Sequence, residues 1–392
     1  MTSPSVPGAQ RWPSPTLGHF FLFLVSCLIF FVGYIPQLYV FPSLDLPRST
    51  YLRLNISILL VWLTFILAAA SDPGTAPKDW KPNPKEVEDE TAVRYCMKCE
   101  AFKPPRAHHC RTCGVCVMRM DHHCPWINNC VGYRNHAHFI RFLLYTLSAT
   151  IQVFVLLFRR GWELWYEFYY SDVDATELVL LMLTMLTALV LIICLAILGI
   201  YQLWCVSEGT TTIESWSLER LQSHVRRGRL REEDAIFPYD LGFIENLRDI
   251  FGGGVVGAWW VFGRNGRGTG TRWEVNEFAV PGRGWPPPDP DIVRANPHLS
   301  PKPWTHGVPP TEDLDAFRER QRESQNFYSD YPHEDESWDE EGSEGSRDPG
   351  DGWVNDEGET LEDYGIDVGS EIVGFGAKDE RGVELRKRVN GI

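Results

Sequence analysis

Four apolar segments constrain this chain more than any other feature of its sequence. They run over roughly 19–40, 51–70, 138–158 and 178–203, and the few charges that they contain lie near their ends. A helix needs about 20 mostly apolar residues to cross the hydrocarbon core of a bilayer, and each segment has about that length. Four segments that are apolar around their whole circumference are too many for the core of one soluble protein. The sequence therefore predicts an all-α integral membrane protein with four transmembrane helices.

The distribution of basic residues predicts the orientation of these helices. The segment between the second and third spans, residues 71–137, carries ten Lys and Arg residues, and a further basic group follows the fourth span. The loop 41–50 carries only one arginine. Short cytosolic loops of membrane proteins are enriched in Lys and Arg. We therefore expect residues 71–137 and both termini to face the cytosol.

Acidic charge is concentrated at the C-terminal end of the chain. From residue 311 onward there are 25 acidic and 9 basic residues, which accounts for the whole formal charge of −15. The acidity therefore belongs to this region and does not indicate the substrate. Few apolar residues are available there to offset the entropy cost of ordering. We expect residues 256–392 to form a Gly/Pro-rich linker and an acidic, largely disordered tail.

Seven of the ten cysteines lie between residues 96 and 130, and histidines are interspersed with them. A Cys-x2-Cys spacing lets two thiolates bind one metal ion, and four Cys or His ligands in a tetrahedral arrangement are typical of structural zinc. In a chain without signs of secretion, such a cluster indicates a metal site or a reactive thiol rather than disulfides. The potential ligands are Cys96, Cys99, His108, His109, Cys110, Cys113, Cys116, His122, His123, Cys124 and Cys130.

The number of ligands leaves one cysteine over. Two closed zinc sites need eight donors, so the seven cysteines require help from histidine, and with two histidines one cysteine stays free. Cys124 has the neighbours that a nucleophile needs, since His122 could accept its proton and Asp121 could orient that histidine. From spacing alone an alternative stays open, in which Cys124 is a further donor or a buried thiol and Asp121 is a surface charge.

The stretch from Asp121 to Asn135, DHHCPWINNCVGYRN, resembles the signature of the DHHC-type protein S-acyltransferases. Asp72-Pro73-Gly74 after the second span and Thr211-Thr212-Ile213-Glu214 after the fourth are similar to further motifs of that family, as is the context of Asn246. The resemblance covers about residues 15–255. Within the family, the chain is most similar to the fungal endoplasmic-reticulum protein fatty acyltransferases, so the resemblance implies a multi-pass protein of that membrane.

The resemblance implies two structural zinc ions and assigns their ligands. One ion would be bound by Cys96, Cys99, His109 and Cys116, and the other by Cys110, Cys113, His123 and Cys130. This assignment leaves Cys124 free as the nucleophile, with His122 and Asp121 as the general base pair.

The activity that the resemblance implies is protein S-palmitoylation. A long-chain acyl group would pass from palmitoyl-CoA or a similar acyl-CoA to Cys124 and then to cysteine thiols of proteins, with ping-pong kinetics. Because the site lies at the bilayer, we expect the protein substrates to be membrane proteins. Trp126 could pack on the acyl chain or anchor the domain at the interface. Basic residues of the segment 71–137, hereafter the insert, are candidates for contacts with the CoA phosphates. They are Lys98, Lys103, Arg106 and Arg119.

These observations predict an order of segments along the chain. The expected segments are a cytosolic N-terminus (1–18), transmembrane helices 1 and 2 (19–70), a cytosolic zinc-binding catalytic domain (71–137), transmembrane helices 3 and 4 (138–204), a cytosolic conserved segment (205–255) and the linker and tail (256–392). Two other functions remain open on composition. A non-enzymatic membrane scaffold or ion-conducting protein would explain the zinc but not the spare thiol beside His122. Nucleic-acid binding is disfavoured, because acidic residues offset the basic ones in the insert.

Overall fold

The computed structural model describes residues 15–82, 94–167, 174–252, 266–279, 284–287, 290 and 371–373. Most of the predicted acidic tail and the first 14 residues lie outside the described residues. The expected disorder of the tail therefore stays a prediction.

Four long helices form the membrane region. They are α1 (Pro15–Tyr39), α2 (Arg48–Ala70), α3 (His136–Glu167) and α4 (Ala175–Ser207). All four are long and apolar enough to cross a membrane, with mean hydropathy between 1.8 and 3.0. The prediction of four transmembrane helices is confirmed. The helices extend past the apolar segments at most of their ends, and α3 begins at His136, two residues before the predicted start.

The helices pack as a closed bundle, in which α2 contacts α3, α3 contacts α4 and α4 contacts α1. One apolar cluster lies at the end of the bundle that meets the cysteine-rich insert and contains Phe65, Phe139 and Cys124. A second cluster, with Phe41 and Leu157, lies toward the other end. The outward faces of the helices are also apolar, which suits a surface that contacts lipid.

The cysteine-rich insert consists of three short antiparallel hairpins. The first pairs β1 (Arg94–Cys96) with β2 (Ala101–Lys103), the second pairs β3 (His108–Cys110) with β4 (Val115–Val117), and the third pairs β5 (His122–Cys124) with β6 (Asn129–Val131). A seventh strand, β7 (Glu371–Val373), pairs antiparallel with β1. This short part of the C-terminal tail thus adds to the edge of the first hairpin.

Two asparagines attach the third hairpin to the membrane bundle. The Asn129 side-chain amide donates hydrogen bonds to the carbonyls of Ala68, Ala69 and Ser71 at 3.2, 3.1 and 2.8 Å. The Asn135 amide donates to the Ala68 carbonyl at 3.2 Å and to that of Cys130 at 2.8 Å. The last carbonyls of a helix have no partner within it. Because these side chains supply partners, the end of α2 and β6 are held together.

Two further helices follow the fourth span, α5 (Thr212–Arg226) and α6 (Phe243–Phe251). Thr211 and Glu214 form a reciprocal capping box at the start of α5, which fixes where that helix begins. The Asn246 amide on α6 donates to the Ser207 carbonyl at 2.7 Å, so α6 lies against the end of α4.

Residues 266–279 pack against the insert. The Tyr133 hydroxyl donates to the carbonyls of Arg267 and Gly268, both at 2.8 Å. The ring of Trp273 meets the ring of Tyr133 edge-on, with 5.6 Å between centroids. At Gly270 a Cβ atom would lie 2.6 Å from the Tyr133 ring, so only glycine allows this close approach. This part of the expected linker is a packed element.

Candidate active site and zinc-binding sites

The first group of potential zinc ligands consists of Cys96, Cys99, His109 and Cys116, whose ligand atoms all lie within 4.8 Å of one another. The Nδ1 atom of His109 lies 3.5, 3.2 and 3.8 Å from the sulfurs of Cys96, Cys99 and Cys116. Three of these four side chains are buried. The group therefore forms a compact set of one nitrogen and three sulfur donors.

The second group consists of Cys110, Cys113, His123 and Cys130, again with all ligand atoms within 4.8 Å. The Nδ1 atom of His123 lies 3.6, 3.4 and 3.6 Å from the sulfurs of Cys110, Cys113 and Cys130. The two groups thus have the same composition and nearly the same dimensions.

Both groups fit a tetrahedral zinc ion. With Zn–S distances of about 2.3 Å and Zn–N distances of about 2.0–2.1 Å, tetrahedral donors lie about 3.5–3.8 Å apart. The observed nitrogen–sulfur distances fall within a few tenths of an ångström of this range. Four protein donors leave no coordination position open, which is typical of structural zinc. The two clusters can therefore each hold one zinc ion.

The hairpins explain why ligands that are adjacent in sequence belong to different groups. His109 lies directly opposite Cys116 in the second hairpin, and His123 lies directly opposite Cys130 in the third. Successive residues of a strand point to opposite faces. Cys110 therefore points away from the first group and joins the second. The structure brings together the two ligand sets that the resemblance implied.

The same alternation separates Cys124 from both groups. His122 and Cys124 flank His123 in β5, so both side chains point to the face opposite the second zinc group. The Nδ1 atom of His122 lies 2.7 Å from a carboxylate oxygen of Asp121. The Cys124 thiol lies close enough to the His122 ring to contribute to the raised pKa of that ring. The structure thus brings Asp121, His122 and Cys124 together in one row.

The row favours a charged state of both Asp121 and His122. Burial lowers the pKa of His122, but its hydrogen bond with Asp121 and the nearby Cys124 thiol outweigh burial and raise that pKa to about 10. Burial raises the pKa of Asp121, but the hydrogen bond with His122 and the backbone of Thr212 hold it below its ordinary value. A cationic imidazole beside a thiol stabilises the thiolate, which is the nucleophilic form.

Asp121 is held by residues from two other parts of the chain. The backbone N–H of Thr212 donates to its Oδ1 at 2.7 Å, and the Thr212 hydroxyl donates to its Oδ2 at 3.0 Å. The Gln202 amide donates to the same Oδ2 at 3.1 Å. Sequence reasoning missed Gln202, because a single polar residue near the end of an apolar helix carries no pattern.

Comparison with known proteins identifies the family. The DHHC palmitoyltransferase family model matches residues 89–219. Palmitoyltransferase pfa4 of Aspergillus fumigatus is 36% identical over 407 residues, covering 89% of this chain and 92% of that protein. Palmitoyltransferase PFA4 of Yarrowia lipolytica is 33% identical over 272 residues, covering 67% of this chain and 77% of that protein. The chain belongs to the DHHC palmitoyltransferase family.

Membership confirms that this chain is a protein palmitoyltransferase and a multi-pass membrane protein. Over a shorter stretch, the chain is similar to Palmitoyltransferase ZDHHC15 of Rattus norvegicus. The two proteins are 32% identical over 161 residues, which cover 41% of this chain and 44% of that protein.

A buried ion pair connects the insert of this DHHC palmitoyltransferase to α5. The Arg106 guanidinium donates to Glu214 at 2.6 Å and to the Gly209 carbonyl at 2.7 Å. Its central carbon lies 4.8 Å from the ring centroids of both Tyr239 and Trp273. Desolvated cation–π contacts of this kind stabilise a buried guanidinium. The Arg106 guanidinium of the insert therefore contacts both α5 and residues 266–279.

This burial bears on the predicted CoA contacts. Arg106 is 5% exposed, Arg119 is 2% exposed and Lys103 is 2% exposed. Their charged groups do not face solvent, so the prediction that they contact CoA phosphates is not supported. The side chain of Arg106 is used within the protein instead.

Cys124 of this DHHC palmitoyltransferase faces the apolar end of the helix bundle. Cys124 is 4% exposed and packs in the cluster that includes Ile127, Phe139 and Phe142. Trp126, two residues later, is 48% exposed, and its ring meets the ring of Phe21 on α1 with 5.1 Å between centroids. The thiol therefore lies where the polar insert and the apolar helices meet.

Proposed function

We propose that this DHHC palmitoyltransferase transfers a long-chain acyl group from acyl-CoA to protein cysteines through a thioester on Cys124. The observation that carries this proposal is the position of Cys124. Among the cysteines of the insert it alone stands outside both ligand groups, and it shares one face of β5 with His122. A spare thiol with a histidine and a carboxylate in line is the arrangement of an activated nucleophile.

At the start of the first half-reaction the proton of the Cys124 thiol has already passed to His122, and the Asp121 carboxylate stabilises the resulting imidazolium. The Cys124 thiolate attacks the carbonyl carbon of the acyl-CoA. A new carbon–sulfur bond forms to Cys124, and the carbon–sulfur bond to coenzyme A breaks. The leaving thiolate takes the proton from His122, so that free coenzyme A departs and His122 is neutral again.

In the second half-reaction, His122 takes the proton of an incoming protein thiol. That thiolate attacks the acyl carbon, and the bond to Cys124 breaks. The Cys124 thiolate recovers a proton from His122. Because coenzyme A leaves before the protein substrate reacts, the kinetics are ping-pong.

The position of Cys124 also supports a long acyl chain as the donor group. The thiol borders the apolar cluster of Phe65 and Phe139 at the mouth of the helix bundle. Burial of each methylene contributes about 0.8 kcal/mol, so a chain of about 16 carbons gains on the order of 10 kcal/mol before ordering costs. A water-soluble short-chain donor would gain little from this site. Protein substrates that reach it are membrane proteins with cysteines close to the bilayer.

The zinc ions have a structural role in this proposal. When bound, zinc crosslinks Cys96, Cys99, His109 and Cys116 in one site and Cys110, Cys113, His123 and Cys130 in the other. All donors come from the hairpins and their turns. The ligands thereby hold β5 in place, and β5 carries His122 and Cys124.

We place the enzyme in the endoplasmic-reticulum membrane with the insert and both termini in the cytosol. The excess of Lys and Arg in residues 71–137 supports this orientation. Acyl-CoA has a charged, water-soluble headgroup and an apolar acyl chain. The insert lies at the end of the bundle, where such a molecule can place its headgroup in water and its chain in the bilayer.

The proposal is tested by labelling the purified full-length enzyme with radioactive palmitoyl-CoA. The wild type should carry one hydroxylamine-sensitive label, located on Cys124 by mass spectrometry. Cys124→Ser should carry none while it keeps two zinc equivalents. Cys194→Ser, which changes a cysteine exposed on α4, is the matched control and should label normally. Label that persists on the Cys124→Ser enzyme, or zinc lost from it, would contradict the proposed nucleophile.

A further inference from the structure

Three buried polar residues continue the row of Asp121, His122 and Cys124 into the helix bundle. They are Gln202 near the end of α4, His136 at the start of α3, and Arg119 in the turn before β5, with exposures of 1%, 1% and 2%. Buried polar side chains are almost always hydrogen-bonded, so each of these three residues needs partners within the protein. Neither the zinc groups nor the covalent chemistry uses them.

The hydrogen bonds of the three residues have only one consistent set of directions. The Gln202 amide nitrogen donates to Asp121, which turns its carbonyl oxygen toward His136 Nε2 at 3.1 Å. A carbonyl oxygen only accepts, so the proton of the neutral imidazole lies on Nε2. The His136 Nδ1 atom is then an acceptor, and an N–H group of Arg119 lies 3.3 Å from it. Each member donates toward Asp121 along the whole line.

We propose that Gln202 and His136 are positioning residues, which hold the Asp121 carboxylate so that His122 points at Cys124. This inference rests on the proposed function of Cys124, His122 and Asp121. Gln202 and His136 come from the fourth and third spans, and each contacts the reacting groups only through Asp121. The orientation of the catalytic histidine is thereby tied to the packing of two transmembrane helices.

The geometry of the carboxylate explains why one more donor matters. His122, Gln202 and the Thr212 hydroxyl all bond to Oδ2, at 2.7, 3.1 and 3.0 Å. An oxygen held by three donors cannot move without lengthening one of them. If the Gln202 donor is lost, the carboxylate can rotate about its last bond and take the His122 ring with it. A displacement of about 1 Å at a reacting group can cost about 100-fold in rate.

The alternative is that Gln202 and His136 only fill space between the helices and keep each other's polar atoms satisfied. The two roles differ in what a near-isosteric replacement does. Gln202→Glu keeps the size and the acceptor toward His136, and in its ionised form it removes the donor toward Asp121 and places a second negative charge beside it. Gln202→Met keeps the size and removes both. A purely structural role predicts that the labelling rate falls only in proportion to lost zinc or stability, whereas a positioning role predicts that neither variant labels at the normal rate even when folded and zinc-loaded.

A second pair of variants tests His136. His136→Leu removes both hydrogen bonds of the ring. His136→Gln keeps one acceptor and one N–H donor at similar reach, so it can restore the line. Thr187→Val is the matched control on α4, because the Thr187 hydroxyl only bonds to the Leu183 carbonyl of its own helix and is exposed.

The experiment measures the rate of Cys124 acylation in single turnovers as a function of palmitoyl-CoA concentration, with zinc content and thermal stability determined on the same preparations. We expect the maximal rate of Gln202→Glu, Gln202→Met and His136→Leu to fall at least about tenfold, with half-saturation changed less than about threefold. His136→Gln should recover most of the rate, and Thr187→Val should match the wild type.

Two results would overturn the inference. One is a normal maximal rate in both Gln202 variants. The other is a rate that falls only in proportion to lost zinc or stability and is not rescued in His136→Gln. Neither result affects the proposed function, which is tested separately by the label on Cys124 of the wild-type enzyme and its loss in Cys124→Ser.

Discussion

The neighbouring His122 and His123 of β5 have different surroundings, because a strand turns successive side chains to opposite faces. The Nδ1 atom of His123 lies 3.4 Å from the Cys113 sulfur, whereas the Nδ1 atom of His122 lies 2.7 Å from Asp121. The two side chains are chemically identical, so their roles are set by the pleat of the strand and by what each face meets. A local change of register by one residue would exchange the surroundings of His122 and His123.

This difference predicts opposite effects of two adjacent substitutions. His122→Ala should abolish self-acylation and leave two zinc equivalents and near-normal thermal stability, because only the base is lost. His123→Ala should lose zinc from the second group and unfold at lower temperature, since that group then has three donors. Zinc content by atomic absorption and thermal melts in detergent measure both effects. A stable His123→Ala enzyme with two zinc ions would show that the ligand assignment is wrong.

The helices and hairpins depend on one another through a few buried charges. Arg106 before β3 and Glu214 on α5 lie in direct contact, and both are 5% exposed or less. Their contact joins an element before the third span to one after the fourth. Pairing and cation–π contacts together offset the cost of burying the guanidinium.

Removing one charge of this pair should destabilise the enzyme strongly. We expect Glu214→Gln to lower the free energy of unfolding by about 3–5 kcal/mol, because it leaves a buried arginine without its counter-ion. Glu245→Gln is the control, since Glu245 pairs with Arg248 on the surface of α6 and such exposed pairs contribute about 0–1 kcal/mol. Denaturant titration of the two variants beside the wild type compares the losses. Equal small losses would mean that the buried pair carries no net stability.

Elements with a repeating pattern could be predicted from the sequence, and elements without one could not. Long apolar stretches predict the four spans, and the cysteine spacings predict the zinc groups. Gln202 and His136 are single polar residues whose meaning depends on which helices become neighbours. Residues 266–279 are rich in glycine and arginine, which is typical of a linker. Their packing depends on Tyr133 and on the buried Arg106 and Arg119, which are distant in sequence.

At the scale of the whole molecule, the tail and the membrane topology give separate predictions. Strand β7 pairs with the outer edge of β1, and β1 keeps its pairing with β2 on the other side. Cys96, at the end of β1, is also held in the first zinc group. The first hairpin therefore has two fixed attachments without β7.

Truncation near Thr311 removes β7 and the acidic region together, and we expect it to change self-acylation of Cys124 by less than about tenfold, or roughly 1.4 kcal/mol of barrier. The measurement is the labelling rate per mole of folded, zinc-loaded enzyme with and without the tail. A larger loss would mean that the tail acts on the catalytic domain.

Topology is tested by reporters of compartment. Reporters fused at the N-terminus, within 80–95 and after residue 392 should read cytosolic. Reporters within 43–49 and 165–174 should read lumenal, because four spans return the chain to its starting side. A lumenal reporter after residue 392 would contradict an even number of spans.

The distance in sequence between Asp121 and its outer partners has a consequence for biosynthesis. Gln202 follows Asp121 by 81 positions and Thr212 follows it by 91. A ribosome adds about 5–20 residues per second, so Cys124 leaves the ribosome several seconds before either partner exists. The nascent chain holds an acceptor thiol without its fixed carboxylate until the fourth helix has entered the bilayer. We therefore expect the row of Asp121, His122 and Cys124 to reach its final geometry only after the fourth helix has been inserted.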